Sequence, residues 1–274
     1  MWLMSPSVAF QGEMGAYSEE AAHVHFGQAD VRPFRTLRKV FDAVESKAVD
    51  YGIVPAENSI EGIVNQTYDL LLESPLKIRG EVKIRIEHCL LALPSTELRN
   101  IHVAYSHPQA LAQCSRFLES NGIDAAPAYD TAGSAKMIHE KQLRGAAAIA
   151  SERAAQVHEL MVLQRDLGDY PENFTRFFVI GWDDARATGQ DKTSIVFGTP
   201  HTPGSLHRAL GELALRQVNL MKIESRPVRT TPWEYHFFVD IAGHRSDGSC
   251  AEALDSLRKA TTFLKVLGSY PAAV

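Results

Sequence analysis

One pattern constrains this 274-residue chain more than any other. A short apolar run leads through a small polar junction into residues at helical spacing, and this happens five times. "SVAFQ" passes through "GEMGAYS" into "EEAAHVHF", and "YGIVPA" through "ENS" into "IEGIVNQTYDLLL". "NIHVAYS" passes through "HP" into "QALAQCSRFLESNG", "APAYDT" into "AGSAKMIHEKQLRG", and "AAAIAS" into "ERAAQVHEL". Strands alternating with helices imply βαβ units and a mostly parallel sheet, so the fold class is α/β. The strand "RFFVIG", ending at Gly181, closes the region.

The rhythm then changes. "WDDARATGQDK" is polar and without period, and reads as a linker over 183–192. From Thr193 the order is a strand ("TSIVFGT"), a helix ("PGSLHRALGELALRQ") and two strands ("VNLMKIESRPV", "EYHFFVDIAG") around an "RTTPW" turn. A second helix ("CAEALDSLRKAT") and a last strand ("KVLGSYP") follow. This βαββαβ order is the ferredoxin-like α+β arrangement, with two helices on one face of an antiparallel sheet. Pro227 cannot donate to a ladder, so it ends its strand or marks an edge.

Ligands of open α/β sheets bind beyond the carboxyl ends of strands, where helix N-termini offer unpaired N–H groups to anions. The Ser, Thr, Asn and Gly of the five junctions suit a small acidic ligand, and they are equally ordinary helix caps. From "PAENSIEGIV" onward, Ile60, Ile63, Val64, Tyr68, Leu71 and Leu72 follow the spacing of a buried helix face. Asn58 or Ser59 is then the N-cap, with Glu61 placed to close a capping box. His107 precedes Pro108, which suits the first position of a helix. Along "NFTRFF", strand alternation sends Thr175 and Phe177 to one face and Arg176 and Phe178 to the other.

Several classes of function have no support. The two glycines of "GEMGAYS" match neither dinucleotide nor P-loop spacing, and no H-E-x-x-H or G-x-S-x-G occurs. Three scattered cysteines give no zinc site, so neither a metal nor a cofactor is expected. A net charge of −5 without a basic stripe argues against nucleic acid. The N-terminal stretch has no signal-peptide pattern, and no apolar run reaches membrane-spanning length. A cytoplasmic protein without a membrane partner is expected.

Taken in order, "QGEMGAYSEEAA", "VPAENSIEGIVNQTYDLL", "SHPQALAQC", "DTAGSA" and "NFTRFFVIG", followed by "PGSL" and "ESRP", resemble prephenate dehydratases with a C-terminal ACT regulatory domain. The resemblance covers nearly the whole chain. It implies a catalytic domain over 1–182 built like a bilobal type II periplasmic binding protein. Lobe one would hold about 1–88 and 171–182, lobe two about 89–170, and the ACT domain 193–274. It further implies decarboxylating dehydration of prephenate to phenylpyruvate in phenylalanine biosynthesis. Phenylalanine would inhibit at the ACT domain of a homodimer or homotetramer.

Residue by residue, the resemblance implies a catalytic set of Thr175, Arg176, Phe177, Asn58, Ser59 and Glu61. Thr175 is expected to donate a hydrogen bond to the leaving hydroxyl. Substrate carboxylates are expected at the junctions holding Tyr17, Ser18, His107, Gln109 and Thr131. Phenylalanine is expected at Gly204, Ser205, Leu206, Asn219, Leu220, Glu224, Ser225, Arg226 and Pro227. Ala16 stands where many dehydratases carry Thr, Ile63 where Ser is common, and "DTAGSAKMI" is similar to plant arogenate dehydratases. The substrate is therefore prephenate or arogenate. A non-catalytic amino-acid sensor on the same scaffold is the rival from another class.

Overall fold

The structure, a computed structural model, describes residues 5–228 and 234–273. The chain divides into two compact units, Met1–Thr67 with Val82–Phe177 and Tyr68–Glu81 with Phe178–Val274.

The first lobe of the first unit opens with β1 (Ser7–Gln11), α1 (Tyr17–Phe26), β2 (Asp30–Phe34), α2 (Leu37–Glu45) and β3 (Tyr51–Asn58). β1 pairs in parallel with β2 on one side and β3 on the other. Its Val8, Ala9 and Phe10 are all buried, the unbroken apolar run of a strand covered on both faces. Leu37, Val40, Phe41 and Val44 of α2 are buried at helical spacing, and the Thr36 hydroxyl caps the helix by accepting from Lys39 N at 3.3 Å.

The expected helix start at Asn58 or Ser59 is incorrect. β3 runs through Asn58, residues 59–61 turn, and β4 (Gly62–Ile63) comes back antiparallel against Glu57 and Asn58. Only then does α3 (Asn65–Glu73) begin. The Asn58 side chain accepts from Ile60 N at 2.9 Å and Glu61 N at 3.0 Å, which closes a turn rather than a helix. Gly62 takes φ +81 at the hairpin end. Ile60, Ile63 and Val64 are therefore only half-buried, while Tyr68 and Leu71 are core residues. β5 (Lys77–Arg85) follows.

The second lobe contains β6 (Cys89–Ala92), β7 (Val103–Ser106), α4 (Pro108–Gln113), α5 (Ser115–Asn121), β8 (Asp124–Pro127), α6 (Thr131–Glu140), β9 (Ala146–Ala150), α7 (Glu152–Val157) and β10 (Met161–Gln164). Its sheet order is β10-β6-β9-β7-β8. β7 is parallel to β8 and β9, while β6 is antiparallel to β9 and β10. The helix expected over 109–122 is two helices, broken at Cys114 with φ −118 and ψ 19. β11 (Phe174–Gly181) then returns to lie between β3 and β5. This return makes the first lobe's sheet discontinuous in sequence, whereas the second lobe's sheet is drawn from the single stretch 89–164.

The second unit carries β12 (Asp191–Gly198), α8 (Ser205–Ala214), β13 (Leu220–Pro227), β14 (Tyr235–Ala242), α9 (Gly248–Ala260) and β15 (Phe263–Pro271). Its antiparallel sheet has the order β13-β14-β12-β15, the expected ferredoxin-like βαββαβ arrangement. Pro227 ends β13, which is an edge strand. The turn expected over 229–233 lies outside the described residues. Ile195, Phe197, Val239 and Ile241 pack beneath Ala209, Leu213, Ala253 and Leu257 of the two helices.

The other face of this sheet is also covered, by the chain segments Tyr68–Glu81 and Phe178–Gly181 of the same unit. The Tyr68 ring meets Phe238 edge-on at 5.0 Å, and Phe178 meets Tyr270 at 6.1 Å. Lys265 Nζ donates to the carbonyls of Leu71, Leu72 and Ser74 at 2.7–2.9 Å, satisfying acceptors at the end of α3. Gly268 has no room for a side chain, since a Cβ there would overlap the Ile78 carbonyl.

Candidate active site

The first unit holds a cleft of about 550 Å³, a volume suited to a small-molecule ligand. Residues of both lobes line it. Of the residues expected from sequence, Tyr17, Ser18, Asn58, Glu61, His107, Gln109, Thr131, Thr175 and Phe177 line this cleft. Ser59 and Arg176 do not. Ser59 Oγ donates to Glu172 O and accepts from Phe174 N, each at 2.9 Å, and so fastens the turn to the start of β11. Arg176 is buried and holds Glu57 Oε1 at 2.9 Å. That separation follows from strand alternation: Thr175 and Phe177 point into the cleft, and Arg176 points away.

Asn58 and Thr175 are joined by a hydrogen-bond chain whose directions are fixed. The Asn58 Oδ1 already accepts two backbone N–H groups, so its Nδ2 must donate. Its two hydrogens face three oxygens, one hydrogen being shared: Asn173 Oδ1 at 2.7 Å, Thr175 Oγ1 at 3.0 Å and the more distant Phe174 O at 3.2 Å. The Thr175 oxygen is thereby an acceptor, and its single proton remains for the cleft. Beyond Asn173, its Nδ2 donates to Gln113 Oε1 at 2.9 Å, and Gln113 Nε2 donates to Glu61 Oε1 at 3.3 Å. His88 Nε2 meets the same Gln113 oxygen at 3.0 Å.

Because that oxygen only accepts, His88 carries its proton on Nε2. Burial holds the His88 pKa below its ordinary value, partly opposed by the Gln113 bond, so the ring is neutral. Tyr17 OH donates to Glu87 O at 2.7 Å, and burial lifts its pKa well above the usual tyrosine value. Sequence reasoning passed over Gln113, Asn173 and His88. Gln113 and Asn173 fall inside quoted segments, and His88 falls between two of them. Their type gave no signal, since an Asn or Gln near a strand end is ordinary until its partners are known.

The glycines of "GEMGAYS" have different reasons to be there. Gly15 backs onto α7: Ser151 Oγ donates to Gly15 O at 2.7 Å, and a Cβ at Gly15 would lie 2.6 Å from Ala154 Cα. The Glu19 carboxylate, fully buried, accepts from Gly15 N at 2.5 Å and pairs with Arg153. Gly12, at φ +117, lines the cleft itself. The junction at α6 is capped by Asp130, whose Oδ1 accepts from Gly133 N. His107 caps α4 by accepting from Gln109 N at 3.3 Å, with Pro108 in the first turn.

Among the described residues no group of three or more His, Cys, Asp or Glu side chains is placed to hold a metal ion, and no helix is long and apolar enough to cross a membrane. In the second unit, Gly204, Ser205 and Leu206 line a cavity of about 500 Å³ at the start of α8, together with Phe237. Asn219 precedes β13, and Leu220, Glu224, Ser225, Arg226 and Pro227 lie along it, outside that cavity's wall. Arg226 Nη1 pairs with Asp69 Oδ1 at 2.6 Å.

Comparison with known proteins places both parts of the chain. The family described as prephenate dehydratase matches residues 8–185, and the ACT domain matches residues 193–259. A bifunctional chorismate mutase/prephenate dehydratase of Aquifex aeolicus (strain VF5) is 44% identical over 97% of this chain and 74% of its own length. An arogenate dehydratase/prephenate dehydratase of Arabidopsis thaliana is 42% identical over 96% and 72%. The structure of a prephenate dehydratase from Arthrobacter aurescens in complex with L-Phe superposes with a TM-score of 0.89, at 33% identity, covering 97% of this chain and 90% of that one.

Proposed function

The chain belongs to the prephenate dehydratase family and carries an ACT domain, and from that premise we propose how its cleft performs the reaction. It is a lyase acting on prephenate. The ring carboxylate leaves as carbon dioxide, and the electrons of that C–C bond aromatise the ring and expel the C4 hydroxyl. One added proton makes that hydroxyl water, and phenylpyruvate remains. The cleft must hold two carboxylates, assist one hydroxyl and exclude bulk water.

The direction of the Asn58–Thr175 hydrogen bond is the observation that carries the assignment. Thr175 accepts from Asn58 and so turns its own O–H toward the departing oxygen. A threonine hydroxyl is too weak an acid to surrender its proton unaided, so it orients and polarises the bond. Phe177 supplies an apolar wall beside it. The N–H groups at the starts of α1 and α6, near Ser18 and Thr131, suit the two carboxylates. The Gln109 side chain lies beside them at the start of α4, where Gln109 N–H is already held by His107. Ser59 and Arg176 act by positioning, the first through β11 and the second through Glu57. Replacing Thr175 by Val keeps the side-chain volume and removes the donor. kcat on prephenate should fall about 10²–10³-fold in a folded protein; activity within a few-fold of the parent would refute the role.

Feedback inhibition by phenylalanine at the ACT domain belongs to the same proposal. The cavity beside Gly204, Ser205 and Leu206 is of a size for an amino acid, and binding there would inhibit by favouring a less active state. A cytoplasmic homodimer or homotetramer completes the reading. Its support is the family and the exposed apolar side chains of edge strand β13, Met221 and Ile223.

A further inference from the structure

Gln113 is held more firmly than its place in the helix accounts for. It ends α4, where the chain breaks at Cys114, and a glutamine side chain is long and rich in rotamers. It is nonetheless buried with both ends of its amide engaged. Oε1 accepts from Asn173 Nδ2 at 2.9 Å and from His88 Nε2 at 3.0 Å, so both lone pairs of that oxygen are used. Nε2 gives one hydrogen to Glu61 Oε1 at 3.3 Å. The amide cannot turn over, because its nitrogen would then face two donors. Gln113 lines the cleft, so its second amide hydrogen is the one left for a ligand.

The three partners of this amide are not equivalent. Glu61 is exposed in the turn at 59–61 and lines the cleft itself. Asn173 precedes β11 of the first lobe's sheet and is already tied through its own oxygen to Asn58. His88 directly precedes β6 of the second lobe, and its carbonyl accepts from Leu167 N at 3.0 Å. Leu90 and Ala92 of β6 share one core with Ala110 and Leu111 of α4, so one body of packed side chains sets both His88 and Gln113. The imidazole has little freedom of its own. It is buried, and the Tyr17 ring meets it edge-on at 6.0 Å. Burial keeps it neutral, so it acts as a hydrogen-bond donor and not as a charge.

We propose that His88 is a positioning residue for the dehydration: its Nε2–H fixes the Gln113 amide so that the remaining Gln113 N–H meets the substrate. The inference rests on the reading under Proposed function, since it takes this cleft to be the dehydratase site.

The test is a double-mutant cycle read as kcat/KM on prephenate, with thermal unfolding to establish that each variant is folded. His88→Met keeps the bulk and loses the donor, whereas His88→Gln retains an N–H that reaches Oε1. Gln113→Leu removes the residue through which His88 acts. kcat/KM should fall about tenfold or more in His88→Met, since a donor displaced near the reacting atoms costs up to about 10²-fold. His88→Gln should stay within about threefold of the parent, a difference of less than about 1 kcal/mol. In the Gln113→Leu background, His88→Met should cost less than about a further twofold. A purely structural role would lower the unfolding temperature of His88→Met and leave its kcat/KM near the parent's, which would overturn the proposal. Losses that multiply in the double variant would overturn it too. Should His88→Met not fold, His88→Asn takes its place with the same expectations, because its shorter side chain stops short of Oε1. A parent chain that turns over no prephenate would overturn the reading under Proposed function as well.

Discussion

Replacing Asn58 by Asp tests the direction of the proton on Thr175 without removing a single heavy atom. The turn at 59–61 should survive, because a carboxylate accepts from Ile60 N and Glu61 N as readily as an amide oxygen does. The loss falls on the other side, where the two Nδ2 hydrogens now face three oxygens, 2.7, 3.2 and 3.0 Å from the nitrogen. Two of them, Asn173 Oδ1 and the Phe174 carbonyl, cannot become donors. Asn173 cannot turn its amide over without giving up its bond to Gln113 at 2.9 Å. Only Asn173 Oδ1 is buried, since the Phe174 carbonyl is exposed and keeps the Ser59 N–H at 2.8 Å. At about 1–3 kcal/mol for a buried acceptor left facing another, the substitution should cost about 1–3 kcal/mol of stability. The third oxygen belongs to a hydroxyl and can reverse. Thr175 would then donate to the new carboxylate and present only lone pairs to the cleft. kcat on prephenate should consequently fall about 10²–10³-fold, as if the hydroxyl were absent. Protonating the carboxylate restores a donor, so the activity of this variant should rise as pH falls, opposite to a simple loss of fold. The assay is phenylpyruvate formation across pH, with thermal unfolding alongside. A folded variant with kcat within about fivefold of the parent at neutral pH would refute the chain of reasoning from Asn58 to Thr175.

Two further outcomes follow from neighbouring features. Gly15→Ala forces a Cβ to 2.6 Å from Ala154 Cα at a residue with φ +91, so it should destabilise the protein by about 2–4 kcal/mol in denaturant unfolding; a change below about 0.5 kcal/mol would mean that the loop is free of α7. His88 is held neutral by burial, with its folded pKa below the ordinary 6.5. Its unfolded state therefore binds the proton more readily, and the associated stability, complete above pH 6.5, should be lost as pH falls through the depressed folded value. Unfolding curves of His88→Gln should lack that component of the slope; an unchanged slope would assign it elsewhere.

The α/β alternation of the catalytic part and the βαββαβ order of the tail are legible in the chain because they depend on local periodicity, whereas the two lobes come only from the family resemblance. The run Val8–Phe10, the spacing of Leu37, Val40, Phe41 and Val44, and the βαββαβ order after Thr193 each declare an element within a few residues. The same local logic fails at Asn58. Ile60, Ile63 and Val64 have helical spacing, but the Asn58 side chain closes a turn, and β11 offers its oxygens to Nδ2 from more than a hundred residues away. No short-range pattern carries that partner.

What the sequence determined, then, is which types of group stand at which junctions: a Thr in a strand, an Asn after another, an Asp before a helix. Tertiary structure decided what each atom does. It made Thr175 an acceptor from Asn58 and hence a donor to the cleft, sent Arg176 to Glu57, and joined Gln113, Asn173 and His88 into the site. It also covered the second face of the ACT sheet with Tyr68–Glu81, a segment that sequence order assigns to the catalytic part. The physical reason is the same throughout. Helix and strand periods are set by neighbours along the chain, whereas the direction of a hydrogen bond and the burial of a carboxylate are set by neighbours in space.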